Sequence, residues 1–134
     1  MKILIVNGPN LNLLGTREPE IYGTVSMDDV LNSLKQEFSQ HEISYFQSNH
    51  EGEIIDKLQG AEFDAFVINP GAFTHYSYAI ADCLKNIQKK KIEVHISNIY
   101  QREVFRQKSV TAAYTDSIIS GFGIGGYRLA ILSL

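Results

Sequence analysis

The stretch Lys2-Ile3-Leu4-Ile5-Val6-Asn7-Gly8-Pro9 is a short apolar run that stops at a Gly-Pro pair, and Ala65-Phe66-Val67-Ile68-Asn69-Pro70-Gly71 repeats the pattern. Apolar runs without alternation, closed by residues that break regular structure, read as strands buried on both faces, the situation of a parallel sheet covered by helices. Ile92 to Ser97 reads likewise, Ile43 to Gln47 is a weaker strand, and Ser117 to Ser120 is a short candidate for the fifth. Between them Ser26 can cap a helix whose Val30, Leu31, Leu34 and Phe38 recur at spacings of three and four. Further helices are expected over Gly52 to Gln59, Ser77 to Ile87 and Gly125 to Leu134, with a helical turn around Glu103 to Gln107. A strand followed by a helix, repeated about five times, predicts an α/β fold with a parallel sheet.

At 134 residues the chain makes a single domain, 1–134, in which one core is expected. Hydrophobic residues at 44% and charged residues at 20% are ordinary for a globular chain and argue against disorder or a membrane protein. The apolar run after Lys2 is too short for a signal peptide or a span and meets Asn7 at once, so a cytoplasmic protein is expected. A single cysteine, Cys83, forbids an internal disulfide and reads as core filler on a helix. The net charge of −3 is spread along the chain, and the one basic run, Lys89-Lys90-Lys91, falls between a helix and a strand, where solvated lysines are common. Nucleic acid is therefore not an expected partner.

The unusual residues fall just after the strands, in Asn7 to Asn10, Ser48 to Gly52, Asn69 to His75, His95 to Asn98 and Gly121 to Gly123. In a doubly wound sheet these positions share one edge, where ligands bind outside the carboxyl ends of the strands. Gly8 to Thr24 carries no periodicity, which in a compact domain suggests a functional loop or lid, and Arg17 and Tyr22 lie inside it. A phenol titrates near 10, about three units above neutrality, so Tyr22 needs a nearby cation to act as a base. Arg17 is on the same loop, and Arg106 could be a second cation or could grip a substrate carboxylate in a bidentate pair. From position alone, an exposed aromatic and a solvated arginine fit Tyr22 and Arg17 as well.

Glu93 and His95 are two apart on one strand and so point to the same face. A carboxylate that accepts a ring N–H fixes the histidine tautomer, an arrangement suited to a general acid, although a purely structural buried pair is the competing reading. Asn10, Asn69, His75 and Ser97 are uncharged hydrogen-bonding groups along the same edge, and the Ile96-Ser97 backbone could offer N–H donors to a carboxylate. For Asn69-Pro70-Gly71 a simple turn explains the residue types equally. Gly121-Phe122-Gly123-Ile124-Gly125-Gly126 matches G-x-G-x-x-G, but no second strand or acidic residue follows it, so helix–strand packing is the expected role. His41, His50, His75 and His95 have no metal-ligand spacing, so no metal is expected, and no G-x-S-x-G elbow occurs.

Taken together, these loops resemble the type II dehydroquinases, the 3-dehydroquinate dehydratases. The resemblance rests on Asn7 to Gly15, Arg17-Glu18-Pro19, Tyr22-Gly23, Gln47-Ser48-Asn49 and Glu51-Gly52, and on Asn69 to Ala72 with Thr74-His75. It continues through Glu93 to Asn98, Arg102-Glu103, Phe105-Arg106, Gly121-Phe122-Gly123 and Gly126-Tyr127, and so spans the chain.

That resemblance implies a flavodoxin-like three-layer fold with a five-stranded parallel sheet in the order 2-1-3-4-5. It implies a cofactor-free anti elimination of water from 3-dehydroquinate to 3-dehydroshikimate through an enolate, without a Schiff base. Tyr22 would be the base, Arg17 would activate it, Asn10 would help hold the enolate, and His95 oriented by Glu93 would protonate the leaving hydroxyl. Asn69, His75, Ile96, Ser97 and Arg106 would hold the substrate, and Asp82 would reach the site of a neighbouring subunit in a dodecamer built from trimers. Tyr76, Tyr78 and Tyr100 depart from the family's pattern and bear only on the outer pocket. The competing readings are a flavodoxin-like module binding a flavin or other phosphate-bearing ligand, supported only by the glycine pattern at Gly121, and a receiver-like signalling protein. The second would want acidic residues after the first strand, where Asn7-Gly8-Pro9-Asn10 has none.

Overall fold

The computed structural model describes residues 1–16, 20 and 24–134. Five parallel strands, β1 Lys2–Asn7, β2 Glu42–Gln47, β3 Ala65–Asn69, β4 Lys90–His95 and β5 Ser117–Ser120, form one sheet in the order β2-β1-β3-β4-β5. The sheet is flanked by the helices α1 Met27–Glu37, α2 Glu51–Gly60, α3 Tyr78–Asn86 and α4 Gly125–Leu132. The order reverses between β1 and β3, which opens a crevice at their carboxyl ends.

Side chains two apart on a strand share a face, and that rule divides the interior. Ile3, Ile5, Val67, Ile92 and Val94 face α1 and α4, whose Val30, Leu31, Leu34, Ala130 and Ile131 cover them. Leu4, Val6, Phe66 and Ile68 face α2 and α3, covered by Ile54, Leu58, Ile80 and Leu84. The expected single core is therefore two apolar layers separated by the sheet, as follows when a sheet is covered on both faces. Cys83 is buried in the second layer, and burial pushes its thiol up. Ser26 closes a capping box with Asp29 at the start of α1, and Ser77 caps α3 by accepting from the Ile80 N–H. Among the described residues no helix is long and apolar enough to cross a membrane.

One strand sits two residues earlier than its sequence suggests. Lys90 and Lys91 are inside β4, paired with Ala65 and Phe66, because the backbone makes the ladder while the lysine stems run outward. Lys91 Nζ donates to the Ile87 carbonyl at 2.6 Å, and Lys89 Nζ lies 4.9 Å from the Phe63 ring centroid. At its other end β4 stops at His95, and the Ile96 and Ser97 carbonyls leave the ladder to accept from the Gly123 N–H at 2.9 Å and from Ser120 Oγ at 3.0 Å. The glycine pattern has the expected packing role. A Cβ on Gly126 would meet Val94 Cγ1 at 3.0 Å, so the bare backbone is what brings α4 onto the sheet.

Tyr127 on α4 is fully buried and joins the ends of the two central strands. Its hydroxyl donates to Asn7 Oδ1 at 2.8 Å and accepts from Asn69 Nδ2 at 3.0 Å. Asn69 Oδ1 accepts from the Gly71 N–H at 3.1 Å, while Asn7 Nδ2 donates to Tyr45 at 3.4 Å. Burial pushes the Tyr127 phenol far above its ordinary range, which keeps the donor proton on the oxygen. Tyr127→Phe leaves Asn7 and Asn69 with unpaired buried atoms and should cost about 1–3 kcal/mol, read as a lower urea midpoint with an unchanged slope. A midpoint equal to the parent's would show that the hydroxyl contributes nothing to stability.

Candidate active site

A cavity of about 400 Å³ opens at the carboxyl edge of the sheet. Its first wall is the loop after β1. The Gly8 N–H donates to the Asn69 carbonyl at 2.8 Å, and a Cβ on Gly8 would stand 2.2 Å from the Pro70 oxygen, so only glycine lets the two loops meet. Asn10 follows with a left-handed backbone at φ 67°, a conformation that asparagine tolerates better than most residues. Its N–H donates to Asn49 Oδ1 at 3.0 Å, and Gln47 Nε2 donates to the same oxygen and to the Gly8 carbonyl, each at 3.1 Å. The β2 loop thus braces the β1 loop from behind.

The β3 loop supplies Asn69, Gly71, Ala72 and His75 to the wall. Both polar atoms of the Asn69 side chain have partners within the protein, Tyr127 and Gly71, so one Nδ2 hydrogen is left for a ligand. His75 Nδ1 is 2.7 Å from the Lys108 carbonyl, which can only accept, so that nitrogen carries the proton and Nε2 remains.

His95, Ile96 and Ser97 form the next part of the wall. His95 Nε2 is 3.0 Å from Glu93 Oε2, and since a carboxylate only accepts, Nε2 donates and Nδ1 is the remaining ring atom. Glu93 is completely buried behind it. Its other contacts are hydroxyls: Thr74 at 3.2 Å and Thr111 on Oε1, and Ser109 at 3.0 Å on Oε2. Beyond the histidine, Arg102 and Arg106 bring two guanidinium groups to the cavity. Arg102 Nη1 donates to Ser97 Oγ at 3.2 Å. Arg106 Nε lies 3.0 Å from Glu103 Oε2 but is not aligned for a hydrogen bond, so the attraction there is that of an ion pair.

Of the residues singled out in the sequence, Asn10, Asn69, His75, His95, Ile96, Ser97 and Arg106 line this one cavity, and Glu93 stands directly behind His95. Asp82 is exposed on α3 and is not part of the wall. Tyr22 and Arg17 lie outside the described residues. The Ser48 to Gly52 and Gly121 to Gly123 clusters contribute no lining side chain; Asn49 and Gly123 act from behind, on Asn10 and Ile96. Thr74, Arg102 and Glu103 belong to the motifs of the resemblance without a role attached, and nothing in the sequence marks Ser109 or Thr111. The three hydroxyls come from two distant segments with no periodicity, and only the burial of Glu93 calls for such donors. No group of three metal-ligating side chains occurs among the described residues.

A doubly wound parallel sheet with a strand-end cavity that combines a buried carboxylate–histidine pair, amide groups and two arginines is an arrangement suited to acid–base chemistry on a polar small molecule. The sequence profile described as Dehydroquinase class II matches residues 1–134. The 3-dehydroquinate dehydratase of Thermotoga petrophila is 55% identical over 133 residues, covering 98% of this chain and 92% of that protein. That of Caldicellulosiruptor bescii is 56% identical over 138 residues, covering 99% and 95%. The crystal structure of type II dehydroquinase from Butyrivibrio crossotus superposes with a TM-score of 0.95 at 50% identity, covering 99% of this chain and 96% of that one. The chain belongs to the class II dehydroquinase family.

The contact at Gly8 gives a direct test of how the first wall is built. Gly8→Ala should lose about 2–3 kcal/mol, because its Cβ overlaps backbone that has no room to retreat. Thermal unfolding reads the loss, and an unchanged midpoint would mean that the β1 and β3 loops separate at little cost.

Proposed function

We infer that this chain is a type II 3-dehydroquinate dehydratase, a hydro-lyase of the shikimate pathway that feeds aromatic amino acid biosynthesis. The observation that carries the reading is the Glu93–His95 pair in the wall of a polar cavity, in a chain more than half identical to 3-dehydroquinate dehydratases. The substrate is a small ring bearing hydroxyls, a ketone and a carboxylate, and the cavity's amides, imidazoles and guanidinium groups match those functions in kind.

In this mechanism Tyr22, as phenolate, removes the proton next to the ketone, and the electron pair of that C–H bond moves onto the carbonyl oxygen to give an enolate. Arg17 favours the phenolate by its charge, and Asn10 helps to hold the enolate. The enolate then collapses as the C–O bond to the leaving hydroxyl breaks, and His95, as the imidazolium whose Nε2–H stays on Glu93, delivers the Nδ1 proton that makes that hydroxyl water. Proton exchange with solvent restores Tyr22 and His95. The steps are proton transfers beside an existing ketone, so the chemistry calls for no cofactor and no metal. Asn69, His75, the Ile96-Ser97 backbone and Arg106 hold the hydroxyls and the carboxylate, with Arg106 suited to a bidentate grip. Asp82, exposed on α3, is available to a neighbouring subunit's site, and the working assembly is a dodecamer built from trimers, acting in the cytoplasm.

Dehydration creates a conjugated enone, so ultraviolet absorbance after addition of 3-dehydroquinate follows the reaction. Wild-type protein should give a rapid rise, whereas Tyr22→Phe, which removes the base, should lose at least about 10²-fold in rate while remaining folded. His95→Ala should be slowed similarly, and wild-type turnover in either variant would remove that residue from the mechanism. Light scattering should report a particle near twelve subunits, and a stable monomer at micromolar concentration would overturn the assembly.

A further inference from the structure

Glu93 is the one acidic group buried within the described sheet, and its environment goes well beyond its bond to His95. Thr74 and Thr111 are completely buried around it, and Ser109 closes the third side from a partly exposed position. The hydroxyls also crowd one another, with Thr74 Oγ1 2.7 Å from both Ser109 Oγ and Thr111 Oγ1, and Ser109 3.1 Å from Thr111. A carboxylate has about four acceptor sites, and each hydroxyl has one hydrogen to give. Three hydroxyl hydrogens and the His95 N–H therefore fill the carboxylate, leaving it no freedom to turn away from the ring.

We propose that Thr74, Ser109 and Thr111 are positioning residues for the reaction, forming a hydroxyl cradle that fixes the Glu93 carboxylate and, through it, the tautomer and orientation of His95. The cradle is anchored at its edges. The Val110 N–H donates to the Thr74 carbonyl at 2.7 Å, the Ala112 N–H donates to Ser109 Oγ at 3.0 Å, and His75 Nδ1 donates to the Lys108 carbonyl. The segment 108–112 is thus tied on one side to the Thr74-His75 loop, and it directly follows the turn that brings Arg106 to the cavity. A purely structural site would not need this construction, since burying a carboxylate is costly and an apolar residue of similar volume fills such a place as well or better. The inference rests on the reading of His95 as the group that protonates the leaving hydroxyl.

Thr111→Val keeps the shape of the side chain and removes one donor; Ser109→Ala removes another at a partly exposed position. Each variant should lower kcat roughly ten- to hundredfold, the range for loss of a hydrogen bond to a charged group, with KM changed less than about threefold. Thr111→Ser, which restores a hydroxyl, should recover most of the rate. Nitrogen-15 NMR of the histidine rings provides a readout that a merely structural role would not move. With the ring neutral, His95 in the parent should report Nε2 as the protonated nitrogen, and in Thr111→Val and Ser109→Ala its signals should shift toward a mixture of tautomers. Unchanged His95 signals in both folded variants would overturn the cradle. Shifted signals with undiminished turnover would overturn the cradle's role in the reaction, whereas wild-type turnover in His95→Ala would overturn the reading of His95 as the acid; the cradle variants losing rate only through KM would overturn positioning in favour of substrate binding.

Discussion

The Tyr127 hydroxyl, held between Asn7 and Asn69, is the interaction on which the working edge of the molecule depends. Asn7 and Asn69 are register partners at the last rung of the β1–β3 ladder, the point where the strand order reverses and the crevice opens. Two polar side chains at the end of two buried strands would be a liability without partners. A single phenol from the last helix satisfies both, and its proton can point only toward Asn7 because Asn69 presents an N–H. The direction then runs through four hydrogen bonds, from the Gly71 N–H to Tyr45. Helix α4, far away in the chain, in this way sets the positions from which the β1 and β3 loops depart.

From that fixed base each loop is braced by the next. Gly8 meets Pro70 at a separation no side chain would allow, Asn49 holds the strained Asn10, and Lys108 holds His75. The cavity wall is therefore made of short loops held by side chains that do not themselves line it. Preorganised donors and acceptors are what acid–base and electrostatic catalysis require, since groups already in place need not reorganise as charge develops. The buried Glu93 belongs to the same logic, on a strand whose Ile92 and Val94 serve the apolar layer on the opposite face.

Much of the fold is legible in the sequence because it follows from two periodicities. The runs Lys2 to Asn7 and Ala65 to Asn69 are apolar on both faces and end in turn residues, and both strands occur with those bounds. Ser26 caps a helix where its position before an apolar stripe suggests, and the helix expected from Ser77 starts just after it, with Ser77 as the cap. The misplaced edge of β4 shows the limit of the method. Lys90 and Lys91 look solvated by composition, yet sheet membership is decided by backbone pairing with Ala65 and Phe66, which no local pattern records. The single expected core fails for a related reason, since apolar content says how much is buried but not that a sheet divides it.

The site is legible to a different depth. Strand-end position alone gathers Asn10, Asn69, His75, His95 and Ser97 at one cavity, because a doubly wound topology forces loops after strands onto one edge. The spacing of Glu93 and His95 gives their contact through the period of a strand. What the sequence hides is the set of residues that act on those residues. Ser109 and Thr111 fall in a segment with only a 3-10 turn nearby, at Ala112–Tyr114, and they reach Glu93 from sixteen or more positions away. A physical demand could have pointed to them even so. A glutamate in the middle of a buried apolar strand must find about as many donors as it has acceptor sites, and a single histidine supplies one. Here the remaining donors are the small hydroxyls of Thr74, Ser109 and Thr111, which come from loops rather than from the strands on either side.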